Sequence, residues 1–249
     1  MHNGRFMNIW KGYCSEDSIP NIEKLALFVR SIKRIDKLNF YKNLGEKEWE
    51  NCIDGIIRKP REVVRALMEY KLDSRKINNA ISNGTNLEEV KSQIKAIEKF
   101  LDKQSLKHDM EVYRGEGRFD VFNSVVLDKE KNITLKDVLE KFTAEIESKK
   151  YSQEDIDDFV FNNMSRKFVT QERFLSTAIE PEATEQYAKK VYWAIKIPKK
   201  AKASIIESYN VERESEAELL MQKGSQLLIN DAKYDFDNHR WNIWADLVQ

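Results

Sequence analysis

Three glutamates spaced two apart, Glu214, Glu216 and Glu218, run straight into the apolar part of "ESEAELLMQKGSQLLI". On an extended chain, residues two apart point to the same face, so three like charges would gather on one side. A solvated loop tolerates that cheaply, and a site that must meet a positive charge has use for it. Two other segments carry residues suited to chemistry. In "VYRGEG", Arg114 ends a strand-like run, where a planar guanidinium can grip phosphate or carboxylate. In "RFLSTAI", Ser176 and Thr177 lie inside an apolar run, and buried hydroxyls must find partners. Those partners are either a reacting side chain or simply the backbone. Taken singly, each segment reads more simply as structure than as a site.

The composition sets bounds on what such residues could do. The 249 residues are 41% hydrophobic and 34% charged, with 42 basic and 42 acidic side chains. This is a globular composition, and a net charge of zero argues against a nucleic-acid partner, which calls for a basic excess. The only cysteines, Cys14 and Cys52, make no disulfide framework and leave a single bridge open, and His2, His108 and His239 are scattered without metal-ligand spacing, so no metal is expected. No window approaches the ~18 apolar residues of a membrane span, and the N-terminus lacks the apolar core of a signal peptide. A cytoplasmic chain, an exported one and a mature form without its leader all remain open.

The elements that must position the three segments change character along the chain. Residues 22–35, after Ser18 and Pro20, show one apolar helix face opposite Lys24, Arg30, Lys33, Arg34 and Lys37. Residues 1–43 carry eight Lys/Arg against four Asp/Glu. Such a basic amphipathic helix could contact a membrane surface or a partner, although packing on its own domain is the simpler reading. Trp49, Ile53 and Ile56 or Ile57 suggest a helix closed near Pro60, and "REVVRALMEY" the next. Leu87, Val90, Ile94, Ile97 and Leu101 then recur at helical steps of three and four. The period switches at "MEVYRGEG" to a short strand ending at glycines, and a helical region follows at about 134–164. Beyond it lie the strand-like "RFLSTAI", "VYWAIKIP", "ASIIES", "AELLMQ", "SQLLIND" and "RWNIWADLV", with a short helical piece near "EATEQYAKK". Helices early and strands late predict an α+β fold with a mixed or antiparallel sheet core. The simplest partition is an N-terminal helical extension, residues 1–44, and one domain, residues 45–249.

Read in order, "VYRG", "FLSTA" and "ESEAELLMQKGSQLLI" resemble the R-S-E class of mono-ADP-ribosyltransferase toxins, which includes the enzyme components of clostridial binary toxins and the smaller Rho-modifying exoenzymes. That family pairs a strand-end Arg, an S-T-S strand and an E-x-E or Q-x-E motif leading into "LL…GS…I". The segments "INNAI" and "LEEVKSQIKAIEKFL" precede the Arg strand as they do in the family, and the resemblance spans roughly residues 45–249. One departure is that Ala178 stands where the family has its second serine. Two registers of E-x-E overlap here. The family's second glutamate lies six residues before the Gly of "GS", which from Gly224 selects Glu218 as the catalytic glutamate and Glu216 as its partner.

The resemblance implies an ADP-ribosyltransferase-like fold, a helical N-terminal half packed on a two-sheet core, with NAD as co-substrate. It implies Glu218 beside the ribose, Ser176 orienting it, and Arg114 on the NAD phosphates. Gly115, Thr177 and Tyr187 would complete the NAD site, Tyr187 over the nicotinamide. Glu216 would meet the acceptor, and in this family E-x-E goes with arginine and Q-x-E with asparagine. The physical reason is that a carboxylate can pair with a guanidinium and help remove its proton. The expected activity is transfer of ADP-ribose to an arginine of a target protein (actin, a small GTPase or a bacterial protein such as RNA polymerase), with slower hydrolysis of NAD by water. Tyr209, in "IIESYNVERESEAE", matches the family's substrate-recognising turn. A monomeric secreted or injected effector, acting in the cytoplasm of a target cell, is implied. Two alternatives stand beside it: a catalytically silent docking module of the same fold, and a glycoside hydrolase using Glu216 and Glu218 as its carboxylate pair.

Overall fold

The computed structural model of the chain describes residues 60–148, 151–206 and 218–249. The expected N-terminal helices at 22–35 and 49–57, and the segment containing Tyr209, Glu214 and Glu216, lie outside the described residues. The chain forms two compact units. Of the described residues, the smaller comprises 60–102, 204–206 and Glu218, and the larger comprises 103–148, 151–203 and 219–249.

Within the smaller unit, three helices follow one another: α1 (Arg61–Leu72), α2 (Ser74–Asn83) and α3 (Leu87–Leu101). Pro60 starts α1 well, because its ring suits a non-helical entry while its carbonyl accepts from Val63 and Val64 N–H at 3.0 and 3.2 Å. Gly84 ends α2 in the left-handed conformation at φ 68° and returns its N–H to Ala80 O, a geometry that costs glycine nothing. The α3 stripe read from the sequence is buried from Val90 through Ile94 and Ile97 to Leu101, and only its first member, Leu87, is exposed. It packs with Val64, Leu67 and Tyr70 of α1 and Ile77 of α2 in one core. The Tyr70 hydroxyl in that core accepts from Asn78 Nδ2 at 3.1 Å, which satisfies a buried polar group. The chain re-enters this unit at Ser204, where Ile206 N–H donates to Glu218 O at 2.9 Å.

The larger unit is built on a mixed sheet. Its strands are β1 (Met110–Glu116), β4 (Phe168–Gln171), β5 (Leu175–Ala178), β6 (Val191–Ile197), β8 (Glu218–Met221, entering from the smaller unit), β9 (Ser225–Asp235) and β10 (Arg240–Val248). They are ordered β4-β9-β10-β6-β1-β5-β8. A small hairpin pairs β2 (Val126–Asp128) with β3 (Ile133–Thr134), and β7 (Ala203–Ile205) lies at the point where the chain leaves the unit. The β6–β10 pair is parallel and the other registered pairs are antiparallel. β1 runs in register with β6 along its whole length, from Met110 opposite Ile197 to Glu116 opposite Val191. Its register with β5 is the single pair Tyr113 opposite Ala178. The sheet is therefore tightly joined on one side of β1 and loosely joined on the side that bears Ser176.

Helices α4 (Leu135–Ser148) and α5 (Gln153–Asn163) occupy the stretch expected to be helical. Ser152 and Asp155 form a reciprocal capping box that starts α5. Leu135, Leu139, Ile156 and Val160 are buried with Trp193 and Trp241. Phe122 stacks on Trp193 at 5.5 Å, and the Trp241 indole N–H donates to Thr143 Oγ1 at 2.9 Å. The fold is α+β with a mixed sheet core, as the order of periodicities predicts. Among the described residues no helix is long and apolar enough to cross a membrane.

Candidate functional site

Arg114 is set by the strand that carries it. It stands opposite Trp193 in the β1–β6 ladder, and Glu116, two residues on, shares its face. Arg114 Nε donates to Glu116 Oε1 at 2.8 Å, and Nη1 donates to the main-chain oxygen of Ser176 at 2.6 Å. A guanidinium has five N–H donors in a rigid fork, and these two bonds fix its plane. The first two segments singled out in the sequence are thus joined by a side chain-to-backbone bond. Glu116 was not among the expected site residues. The signal that could have found it is its two-residue spacing from Arg114 on a strand.

Thr177 is buried, and its hydroxyl donates to Leu219 O at 3.1 Å. Leu219 is the residue after Glu218, so β5 secures the strand at the point where the E-x-E motif ends. Ala178, in place of the family's serine, is buried opposite Tyr113. A hydroxyl there would need a partner that the methyl group does not.

Gly115 is required by close approach. A Cβ at this position would lie 2.4 Å from Ala188 N, 2.6 Å from Thr184 O and 2.7 Å from the Tyr187 carbonyl carbon. The short 3-10 helix Pro181–Tyr187, which "EATEQYAKK" forms, therefore rests directly on β1. It is pinned a second time by Arg240, whose guanidinium forks onto both carboxylate oxygens of Glu185. Arg240 also lies 4.8 Å above the Tyr192 ring, a cation–π contact. The Glu185 hydrogen bond holds the Arg240 guanidinium above its ordinary pKa. Tyr192 in turn stacks on Tyr113 at 6.0 Å, and burial together with a hydrogen bond to Glu111 pushes the Tyr113 phenol up to about 12. These contacts bring Tyr187, 42% exposed, to Gly115. Neighbouring residues on a strand face opposite ways, so the Arg114 side chain and the Gly115–Tyr187 approach lie on opposite faces of β1.

Glu218, in the smaller unit, is almost completely buried and ion-paired with Lys71 from the last turn of α1. Only 8% of the Glu218 side chain and 6% of the Lys71 side chain are exposed. No motif pointed to Lys71. The signal that could have found it is its place on α1: it falls four residues after Leu67 and seven after Val64, on the stripe that is otherwise buried and apolar. A lysine there is almost never buried unless paired.

The motif order and the fold can be set beside known proteins. The chain is similar in structure to Plx2a, an ADP-ribosyltransferase toxin from Paenibacillus larvae. The TM-score is 0.61 at 19% identity over 86% of this chain and 97% of that one. It is also similar to C3stau2 from S. aureus, solved with NAD (TM-score 0.61, 16% identity, 82% of this chain and 93% of that one). The Clostridium limosum C3 exoenzyme gives a TM-score of 0.57 at 18% identity, over 86% of this chain and 94% of that one. At such identities the likeness shows the shared fold. No curated protein matches the sequence. A model of the ADP-ribosyltransferase exoenzyme family matches residues 41–248, which takes in the Arg114, Ser176 and Glu218 segments together. On the strength of that match over most of its length, with the fold in agreement, the chain belongs to the ADP-ribosyltransferase exoenzyme family.

Proposed function

We propose that the chain is an NAD-dependent mono-ADP-ribosyltransferase that modifies an arginine of a target protein, with slower NAD hydrolysis when water is the acceptor. The observation that carries this reading is the 2.6 Å bond from Arg114 to the Ser176 main chain, which joins two of the three motif segments. In the reaction, the bond between nicotinamide nitrogen and ribose C1′ breaks, and its electron pair leaves with neutral nicotinamide. Positive charge grows on the ribose, as in glycoside hydrolysis. A fixed carboxylate beside it stabilises that charge, and loss of such a preorganised group costs ~2.7–4 kcal/mol. Glu218 is the carboxylate assigned this role, with Ser176 orienting it and Arg114 holding the NAD phosphates. The acceptor guanidinium nitrogen bonds to C1′ and gives up its proton to Glu216. Gly115, Thr177 and Tyr187 belong to the NAD-binding set, and Tyr209 to recognition of the target.

The catalytic domain in this reading is residues 45–249, with 1–44 as an N-terminal helical extension. The protein works as a monomeric secreted or injected effector. The test is labelled NAD added to cell lysates with wild type and Glu218→Gln, followed by mass spectrometry of the modified residue. Label on arginine that vanishes in Glu218→Gln is the expected result. Label confined to asparagine or cysteine would remove the arginine assignment, and full labelling by the variant would remove Glu218 from the mechanism.

A further inference from the structure

We propose that Lys71 is a positioning residue for Glu218, holding its carboxylate in the place from which it acts on the ribose. This rests on the assignment of Glu218 as the catalytic carboxylate. The Lys71 ammonium donates to Glu218 Oε2, and both side chains are more than nine-tenths buried. Lys71 occupies a core-facing position in the last turn of α1, whose buried members include Val64, Leu67 and Met68. An apolar side chain there would extend the stripe at no electrostatic cost. A lysine there is anomalous for packing, and its partner is the residue the motif register selects.

Burying two charges is expensive, and an ion pair of this kind commonly stabilises a fold no more than apolar residues of the same volume. Stability is therefore a weak reason for the pair, whereas orientation is a sufficient one. A glutamate has three side-chain torsions, and its value to a developing cation depends on where its charge is fixed. The backbone at Glu218 is already held, since its carbonyl accepts from Ile206 N–H. The Lys71 bond fixes the far end of the same side chain. Lys71 also acts in the opposite sense, because its positive charge opposes a cation forming nearby. Positioning outweighs this if loss of the lysine slows the reaction, and the opposing charge dominates if loss accelerates it.

The experiment measures NAD turnover and automodification-independent NAD hydrolysis for Lys71→Met, Lys71→Gln and Lys71→Arg beside Glu218→Gln. For Lys71→Met, kcat should fall by about 10²-fold, the order expected when a reacting group is misplaced. The KM for NAD should stay within about twofold, because Lys71 acts through Glu218. Lys71→Gln, neutral but able to donate one hydrogen bond, should fall between, and Lys71→Arg should recover most of kcat. An unchanged or raised kcat in folded Lys71→Met, or a change confined to KM, overturns the inference. If Lys71→Met is too unstable to assay, thermal melts decide. Lys71→Met should lower Tm less in the Glu218→Gln background than in wild type, because the ion pair it would break is already gone there; equal losses overturn the pairing. Should Glu218→Gln keep wild-type turnover, the catalytic assignment falls and this inference with it. Loss in Glu218→Gln with wild-type kinetics in Lys71→Met removes the lysine role alone.

Discussion

Arg114 reaches the main-chain oxygen of Ser176 at 2.6 Å while its Nε is held by Glu116 at 2.8 Å, so the guanidinium is braced from two strands at once. The brace needs the arginine fork, because an ammonium offers a point charge without two fixed directions. Arg114→Lys is therefore expected to keep the charge and lose the geometry. Each hydrogen bond from a charged group contributes about 1.5–3 kcal/mol, so kcat/KM for NAD should fall by roughly 10- to 100-fold, mostly through KM. Steady-state NAD hydrolysis checks this, and a lysine variant with wild-type KM would remove Arg114 from the NAD site.

The contact of Gly115 with the 3-10 helix gives a sharper steric prediction. Gly115→Ala would place a methyl group 2.4 Å from Ala188 N, and the atoms in the way are backbone that cannot rotate aside. Overpacking of this kind costs about 1–3 kcal/mol. A lower Tm is expected, together with a raised KM for NAD if Tyr187 shifts with its segment. The Arg240–Glu185 fork holds the same segment at another point, so Glu185→Ala should raise KM in the same direction with a smaller loss of Tm. Unchanged melting of Gly115→Ala would contradict the close approach.

Much of this arrangement was legible in the sequence, and its gaps have physical reasons. The α3 stripe and strand β10 have clean periodicities, and "RWNIWADLV" corresponds to Arg240–Val248 without a shift. Strand β4, "FVTQ", gave no signal because its apolar Phe168 faces outward while polar Gln171 is buried. Among the described residues it pairs with β9 alone, and such an edge strand need not alternate cleanly. The helical reading of 134–164 missed the break before Ser152, although the Ser152–Asp155 capping box is written in the residues. At the site, the Arg, Ser and Glu segments could be read from motif order. Their partners could not. The acceptor for Arg114 is a main-chain oxygen placed by the β1–β5 register, and Lys71 meets Glu218 across 147 residues of sequence. Those pairings are tertiary, and neither composition nor period encodes them.

Asp120 and Lys136 tie the 3-10 turn after β1 to α4 by a 2.8 Å bond. That bond lowers the Asp120 pKa from 3.8 and raises the Lys136 pKa from 10.5. Arg118 and Arg173 also lower Asp120, and Glu140 adds to the rise of Lys136. The depressed carboxyl stabilises the fold above its ordinary value and loses that contribution as pH falls through its folded value. The raised ammonium stabilises below its ordinary value and loses its contribution as pH rises through its folded value. Asp120→Asn should therefore lower Tm most at neutral pH, and the gap from wild type should close at both the acid and the alkaline end. Melts across pH test this; a gap that does not change with pH would mean the bond contributes through shape alone.

Thr177 offers a way to separate stability from catalysis at the strand that precedes the E-x-E segment in the sheet. Its buried hydroxyl donates to Leu219 O at 3.1 Å, one residue beyond Glu218. Thr177→Val keeps the shape and removes the donor, a loss of about 0.5–1.5 kcal/mol for one net hydrogen bond. Thr177→Ser keeps the donor and removes a methyl group, a loss of the same order, about 0.8 kcal/mol per buried methylene-sized group. The two variants should thus melt at similar temperatures below wild type. If the hydroxyl steadies the strand just past Glu218, kcat should fall severalfold in Thr177→Val and hold in Thr177→Ser. Equal kcat in both would show that Thr177 only packs, and that the position of Glu218 depends on its other contacts, Lys71 foremost.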